Sequence, residues 1–157
     1  MKWCLCIILI VLIMIIAKNL SQQYKDKYEF YESLKQFLIQ FKLNLNFKQE
    51  KIQSFLKNFQ AKKHFLSFID SYSEYLKGSN LDLSKIKILD QLELAELKDI
   101  ITSLGKYDVK SEINQLDGFL QQIEYKIAKA NEDKNKLCPM IIKLSLLFAI
   151  GLVILLV

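Results

Sequence analysis

Few residues in this chain carry the side chains that catalysis or metal binding requires. The single histidine, His64, follows two lysines and has no cysteine partner or nucleophilic serine motif nearby, so we expect it at a boundary or facing solvent. The cysteines are Cys4, Cys6 and Cys138, which lie within or beside apolar segments at spacings that do not match a metal site. We therefore predict no catalytic residue, no metal site and no enzymatic activity.

Glycine and acidic residues also lack the arrangements used in known sites. The chain has four glycines and none are clustered, so a phosphate-binding loop or a dinucleotide fingerprint is missing. Glu93, Glu96 and Asp99 fall on the predicted exposed side of a helix, where carboxylates lack the burial that acid–base catalysis favours. The sequence thus predicts no cofactor.

The charge of the chain is basic, but its composition argues against nucleic-acid binding. The net charge of +5 comes from 22 basic and 17 acidic residues, and every basic residue is a lysine. Base recognition and bidentate phosphate binding rely on the planar arginine side chain, which lysine does not replace. Because the lysines alternate with acids along amphipathic stretches, solvated helix faces are the favoured interpretation.

Both ends of the chain are apolar. Residues 3–17 form an uncharged run that would span about 22 Å as a helix, short for a membrane span and long for the core of a signal peptide. Cleavage after Ala17 would place Ile15 where signal peptidase prefers a small residue. We therefore expect a retained anchor at residues 1–20, with a signal peptide as the alternative.

The second apolar segment covers residues 144–157 and extends back through Met140, Ile141 and Ile142. Pro139 lies about one turn before Lys143, so we expect Pro139 in the first turn of a membrane helix and Lys143 reaching to the lipid headgroups. The sequence predicts a second span at residues 137–157.

The distribution of lysine predicts the orientation of both spans. Many lysines lie on the inner side of the two apolar segments, against Lys2 on the outer side: Lys18, Lys25, Lys27, Lys126, Lys129, Lys134, Lys136 and Lys143. Positive charge favours the cytoplasmic side of a membrane. We expect a protein of the cell membrane whose middle domain, residues 21–136, is cytoplasmic.

The middle domain has the periodicity of helices. Its apolar residues recur in steps of three and four from Tyr24 to Leu45, which predicts a first helix that continues out of the anchor. Asn46 and Gln49 resemble a capping pair for a second helix, and Gly78 should end a third. The predicted fold class is all-α, an antiparallel helical bundle flanked by two transmembrane helices.

Two further helices are predicted after residue 89. Asp90 and Glu93 form a capping pair that starts one of them, Gly105 should end it in the left-handed conformation, and Asp108 should cap the last. The last helix has an a/d stripe over about two and a half heptads, which favours an intramolecular core over an oligomer seam. The stripe comprises Ile113, Leu116, Leu120, Ile123, Ile127 and Ala130.

Charged residues on the other faces of these two helices form a candidate partner surface. Glu96, Asp99, Glu112 and Glu124 lie outside the a/d stripe, as do Lys126 and Lys129. We expect them to have no internal partner and to be available for association, since surface charge steers binding more than it stabilises a fold.

Two local motifs carry a resemblance to a known family. The first is the L-G-x-x-D turn of Leu104, Gly105 and Asp108, and the second is the group Lys134, Asn135, Lys136 and Leu137 directly before the final apolar span. With an anchor at each end and a helical middle, the chain resembles the stage III sporulation protein AB family. Glu112 stands where that family has a glutamine.

The resemblance implies a component of the complex assembled between mother cell and forespore. It also implies similarity to the inner-membrane platform protein of type II secretion, a non-catalytic scaffold that couples a cytoplasmic ATPase to a membrane assembly. The implied partners are membrane lipid, a cytoplasmic sporulation ATPase and other stage III membrane proteins. The competing functions are a phage- or stress-related membrane-active protein and a membrane-bound sensor, and the sequence leaves the oligomeric state open.

Overall fold

A computed structural model describes the backbone of residues 2–48 and 50–156, with the side chains of residues 7–48, 50–62 and 65–154. These residues form five helices and no strand, which confirms the all-α fold class with a long apolar helix near each end. The side chains of Lys2, Cys4, Cys6, Gln49 and His64, for which the sequence made predictions, lie outside the described residues. The helices are α1 (Lys2–Phe47), α2 (Ile52–Asn58), α3 (Lys63–Leu76), α4 (Gln91–Ser103) and α5 (Val109–Leu156).

Local signals define the ends of α3 and α4. The Asp90 carboxylate accepts from the Glu93 N–H at 2.8 Å and the Glu93 carboxylate accepts from the Asp90 N–H at 3.0 Å, which confirms the predicted capping box. Gly78, which follows the C-cap residue Lys77 of α3, has φ +102°, a conformation in which a Cβ is strained. Both predicted boundaries are therefore correct.

The predicted start of the second helix is wrong. α2 begins at Ile52 after Lys51, which makes no side-chain capping hydrogen bond. Asn46 cannot cap it because α1 continues to Phe47 and includes Asn46. The connection is held instead by the Asn44 side chain, whose Nδ2 donates to the carbonyl of Glu50 at 3.0 Å.

The expectation that Pro139 starts a separate membrane helix is also wrong, because α5 is continuous and contains Pro139. Proline removes one backbone hydrogen bond and crowds the preceding turn. Good helix-forming sequence on both sides, together with the need to satisfy backbone groups in an apolar environment, favours continuing the helix over breaking it.

The chain divides into two compact units. One consists of the chain up to Tyr28 together with the chain from Ala128 onward, and the other consists of Glu29–Ile127. In the first unit, small residues at Ala17, Ser21, Cys138 and Ala149 are buried, which allows close approach of helices. The Cys138 Sγ donates to the carbonyl of Ser21 at 3.3 Å, so α1 and α5 are in contact there.

The second unit, Glu29–Ile127, has an aromatic core. The Phe37 ring has its centroid 5.3 Å from that of Phe59 and 5.5 Å from that of Phe55, and the Phe65 and Phe68 centroids are 4.6 Å apart. Edge-on and tilted arrangements of this kind are favourable for aromatic rings. Leu116 and Ile123, which belong to the a/d stripe of α5, are also buried within this unit, as expected for an intramolecular core.

Candidate functional site

The turn between α4 and α5 contains the first motif singled out in the sequence. Gly105 has φ +77° and Leu104 is buried, while the Asp108 carboxylate accepts from the Ser111 N–H at 3.2 Å. Hydrogen bonds from the Ser111 side chain and backbone lower the pKa of Asp108. The predicted left-handed glycine and the predicted cap of α5 are both confirmed.

The side chain of Glu112 is hydrogen-bonded to the backbone of this turn. The prediction that Glu112 lies on an exposed face is therefore wrong. Its side chain was expected on an exposed face, but it is only 1% exposed. One carboxylate oxygen accepts from the Gly105 N–H at 2.8 Å and the other accepts from the Tyr107 N–H at 3.4 Å. A carboxylate can be buried when it is hydrogen-bonded in this way. Glu112 thus fixes the backbone of the turn.

A signal for this burial was present in the sequence. Glu112 lies four residues before Leu116, on the same side of α5, so helical periodicity alone places it towards the core. The prediction that Glu112 is exposed was based on its charge and not on its position in the helix. A carboxylate one turn into a helix that follows a tight turn is a candidate acceptor for the turn's free N–H groups.

Replacing Gly105 with valine tests the turn. We expect the free energy of unfolding to fall by on the order of 1 kcal/mol or more, because a β-branched residue is strained at positive φ. Gly118→Val is a matched control, since Gly118 lies inside α5 with open space where a Cβ would be placed, and valine is no worse than glycine in a helix. Urea unfolding of the full chain in mild detergent measures both; equal effects would contradict the role of the turn.

The other predicted surface carboxylates also differ from expectation. Glu96 on α4 forms an ion pair with Lys126 on α5, and Glu124 pairs with Lys35 of α1 at 2.8 Å. The prediction that these charges have no internal partner is therefore wrong for Glu96 and Glu124, as it is for Glu112. Asp99 is exposed and remains a candidate for external contact.

The ion pairs instead align three helices. Lys42 Nζ lies 2.5 Å from Asp117 Oδ1, which adds a second pair between α1 and α5 beside Lys35 and Glu124. The ammonium of Lys126 also lies 5.8 Å from the centre of the Tyr31 ring, within the range of a cation–π contact. Partly exposed pairs contribute little stability individually, so their main effect is to fix the register of the helices.

The juxtamembrane motif lies in the first unit. The Lys134 ammonium is 3.8 Å from the centre of the Tyr28 ring, and Lys136 forms an ion pair with Glu132 one turn earlier. Asn135 is exposed and Leu137 is half-buried. The motif therefore combines one lysine held on an aromatic ring with polar residues left at the surface.

The sequence interpretation missed a second surface, which is built from exposed apolar residues. They lie at the end of α1 and in the turn before α5, and we call them with their neighbouring lysines the tip surface. All of its residues are exposed, and all lie in or next to the segment that follows α1 or the turn that precedes α5. They are Leu43, Phe47, Lys48, Lys51, Lys106, Tyr107, Val109 and Lys110.

Ligand-binding groups are few in the part of the chain that the structure describes. Among those residues, no three His, Cys, Asp or Glu side chains come together as they would to hold a metal ion. Grooves are present at the tip surface and between the apolar helices of the first unit.

Comparison with known proteins gives one match. The family model for stage III sporulation protein AB matches residues 2–157. No characterised protein and no solved structure matches the chain. The family match extends over both apolar helices and the whole helical middle.

Proposed function

The chain belongs to the stage III sporulation protein AB family, and from that premise we propose that it is a non-catalytic membrane scaffold that couples a cytoplasmic ATPase to a membrane assembly. The observation that carries this proposal is the family match over residues 2–157, which makes the chain a stage III sporulation protein. The scaffold role follows the resemblance to the type II secretion platform protein. A rigid helical unit tied to apolar helices at both ends suits that role.

The outer surface of the apolar helices supports a position in the membrane. α1 and α5 are both long and apolar enough to cross a bilayer, with mean hydropathy of 1.7 and 2.4 in their apolar windows. Large side chains such as Ile8 and Phe148 are exposed on them. Apolar patches of this extent in water favour aggregation, whereas lipid covers them without cost.

The placement of lysine supports a cytoplasmic position for the helical unit. Lys18 and Lys25 follow the first apolar segment and Lys134 and Lys136 precede the second, so positive charge flanks both on the side of the helical unit. By the positive-inside rule this side faces the cytoplasm. An ATPase that uses cytoplasmic ATP would meet the helical unit there.

The use of the buried carboxylate supports a scaffold. Glu112 is bound to two backbone N–H groups of the turn, so its oxygens are committed to structure. The pKa of Tyr72 is raised above its ordinary value, chiefly by burial and also by the negative charge of Glu112. Both side chains are almost completely buried, as expected of residues with a structural role.

Co-purification from sporulating cells tests the proposed coupling. We expect a tagged full-length chain, solubilised in mild detergent, to recover the ATPase encoded with the stage III membrane proteins. An unrelated tagged protein with two spans serves as the control and should recover none. Failure to recover the ATPase after asymmetric division, or equal abundance of the chain in growing cells, would favour the membrane-active alternative.

A further inference from the structure

The tip surface contains two large aromatic side chains that are mostly exposed and are not part of the core. Phe47 is 81% exposed at the last residue of α1, and Tyr107, which follows Gly105 in the turn before α5, is 56% exposed. Leu43 and Val109 beside them are also exposed. Large aromatic residues in water contribute nothing to the fold, but they are enriched where proteins bind partners.

Concave grooves adjoin these side chains. A groove of about 310 Å³ is lined by Leu43, Phe47, Phe55 and Phe59, and another of about 420 Å³ is lined in part by Tyr107 and Val109. Glu50 borders both grooves, so they lie on either side of the connection between α1 and α2. Apolar recesses of this kind accept single side chains of a partner.

Exposed lysines outnumber acidic residues around the grooves. Lys48, Lys51, Lys106 and Lys110 are all exposed, and within the described part of the chain none of them forms an ion pair. The nearby acids offset this positive charge only in part. Glu50 is half-buried and the Asp108 carboxylate is bound to the Ser111 N–H.

We infer that the tip surface is the docking site for the partner protein, and that the partner contributes an acidic segment carrying an apolar side chain. Four unpaired lysines attract negative charge and speed association. The exposed aromatics and their grooves then receive the apolar side chain. This inference rests on the proposed function, because the partner is the ATPase of that proposal.

The grooves favour a protein segment over an anionic membrane as the occupant. A membrane is bound by a continuous apolar helix face with basic residues along its edge. Here the apolar residues come from the end of α1, from the turn before α5 and from the first residue of α5, and they border recesses. The acidic side of α4, which the sequence suggested, is weakened as the docking surface because Glu96 is already paired with Lys126.

Charge reversal at the tip surface tests the inference. The full chain in nanodiscs of neutral phosphatidylcholine is titrated with the purified ATPase, and the Kd is measured for wild type and for Lys48→Glu, Lys51→Glu, Lys106→Glu combined. We expect Kd to rise about tenfold or more. The matched control is Lys85→Glu, Lys87→Glu, Lys98→Glu, which makes the same charge change at exposed lysines that line neither groove and should change Kd by less than about twofold.

The apolar contribution is tested by single substitutions. Phe47→Ser should raise Kd about tenfold, whereas Tyr125→Ser should leave Kd within about twofold, since Tyr125 is an equally exposed aromatic on α5 away from the tip surface. Lys48→Arg keeps the charge and should preserve binding. Near-ultraviolet circular dichroism of every variant checks that the aromatic core is intact.

Each other outcome overturns the inference in a different way. If wild type binds and Asp99→Lys weakens binding while the tip variants do not, the ATPase docks on α4 and the proposed function stands. If the tip variants lose only their binding to phosphatidylglycerol vesicles, the tip surface is a lipid contact. If wild type does not bind the ATPase, the proposed function and the inference both fail.

Discussion

Phe37→Ala is expected to destabilise the protein by about 3–5 kcal/mol, because a large buried ring is removed from a close-packed core. Phe37 is fully buried, and its ring centroid lies between 5.3 and 6.3 Å from five other rings. Loss of this one side chain therefore leaves a cavity in contact with three helices. The rings belong to Phe55, Phe59, Phe65, Phe68 and Tyr72.

Phe47→Ala is the matched control. It removes the same side chain from the same helix, but Phe47 is mostly exposed, so the free energy of unfolding should change by less than about 0.5 kcal/mol. Urea unfolding of the full chain in detergent, followed by the near-ultraviolet signal of the aromatic residues, compares the two. Similar losses for both variants would contradict the assigned core and the tip surface together.

Glu112→Ala is expected to cost about 2–4 kcal/mol, because the part-buried, charge-assisted hydrogen bonds from the N–H groups of Gly105 and Tyr107 to the carboxylate are lost. Truncation also leaves a void beside Leu116. Glu112→Gln should cost less, because its single carbonyl oxygen can keep the 2.8 Å hydrogen bond from Gly105. Thermal unfolding of both variants measures the difference.

The order of the Glu112 variants is the decisive result. If the alanine variant is as stable as wild type, the carboxylate does not hold the turn. If glutamine and alanine are equally damaging, the charge itself and not the hydrogen bond to Gly105 is what matters. Glu124→Gln, at an exposed and paired carboxylate, should have too small an effect to resolve.

The helix ends were largely predictable from the sequence because their signals are local. Gly105 requires positive φ, and Asp90 and Glu93 satisfy each other's backbone N–H groups across a single turn. Pro139 led to a wrong prediction because its preference for a helix start is also a local signal. The helical sequence on both sides overrides that preference, and α5 continues through Pro139.

The candidate site was less predictable because it depends on tertiary contacts. The burial of Glu112 follows from the turn folding back over α5, and the pairing of Glu96 with Lys126 requires α4 to lie beside α5. Periodicity assigns a residue to a face but does not say which other helix covers that face. The tip surface, likewise, combines the end of α1 and the residues after it with the turn before α5 and the start of α5, which are distant in the sequence.

We propose that the helical unit of this sporulation protein faces the cytoplasm, where an ATPase could reach it, and cysteine accessibility tests this most directly. A single cysteine is placed at Ser79, which is exposed, in a chain whose native cysteines are replaced with alanine. The control is Lys2→Cys, predicted to lie on the opposite side of the membrane.

A membrane-impermeant thiol reagent should label Lys2→Cys in intact cells and should label Ser79→Cys only after the membrane is permeabilised. Labelling of Ser79→Cys in intact cells, with Lys2→Cys protected, would place the helical unit outside the cytoplasm and contradict the account.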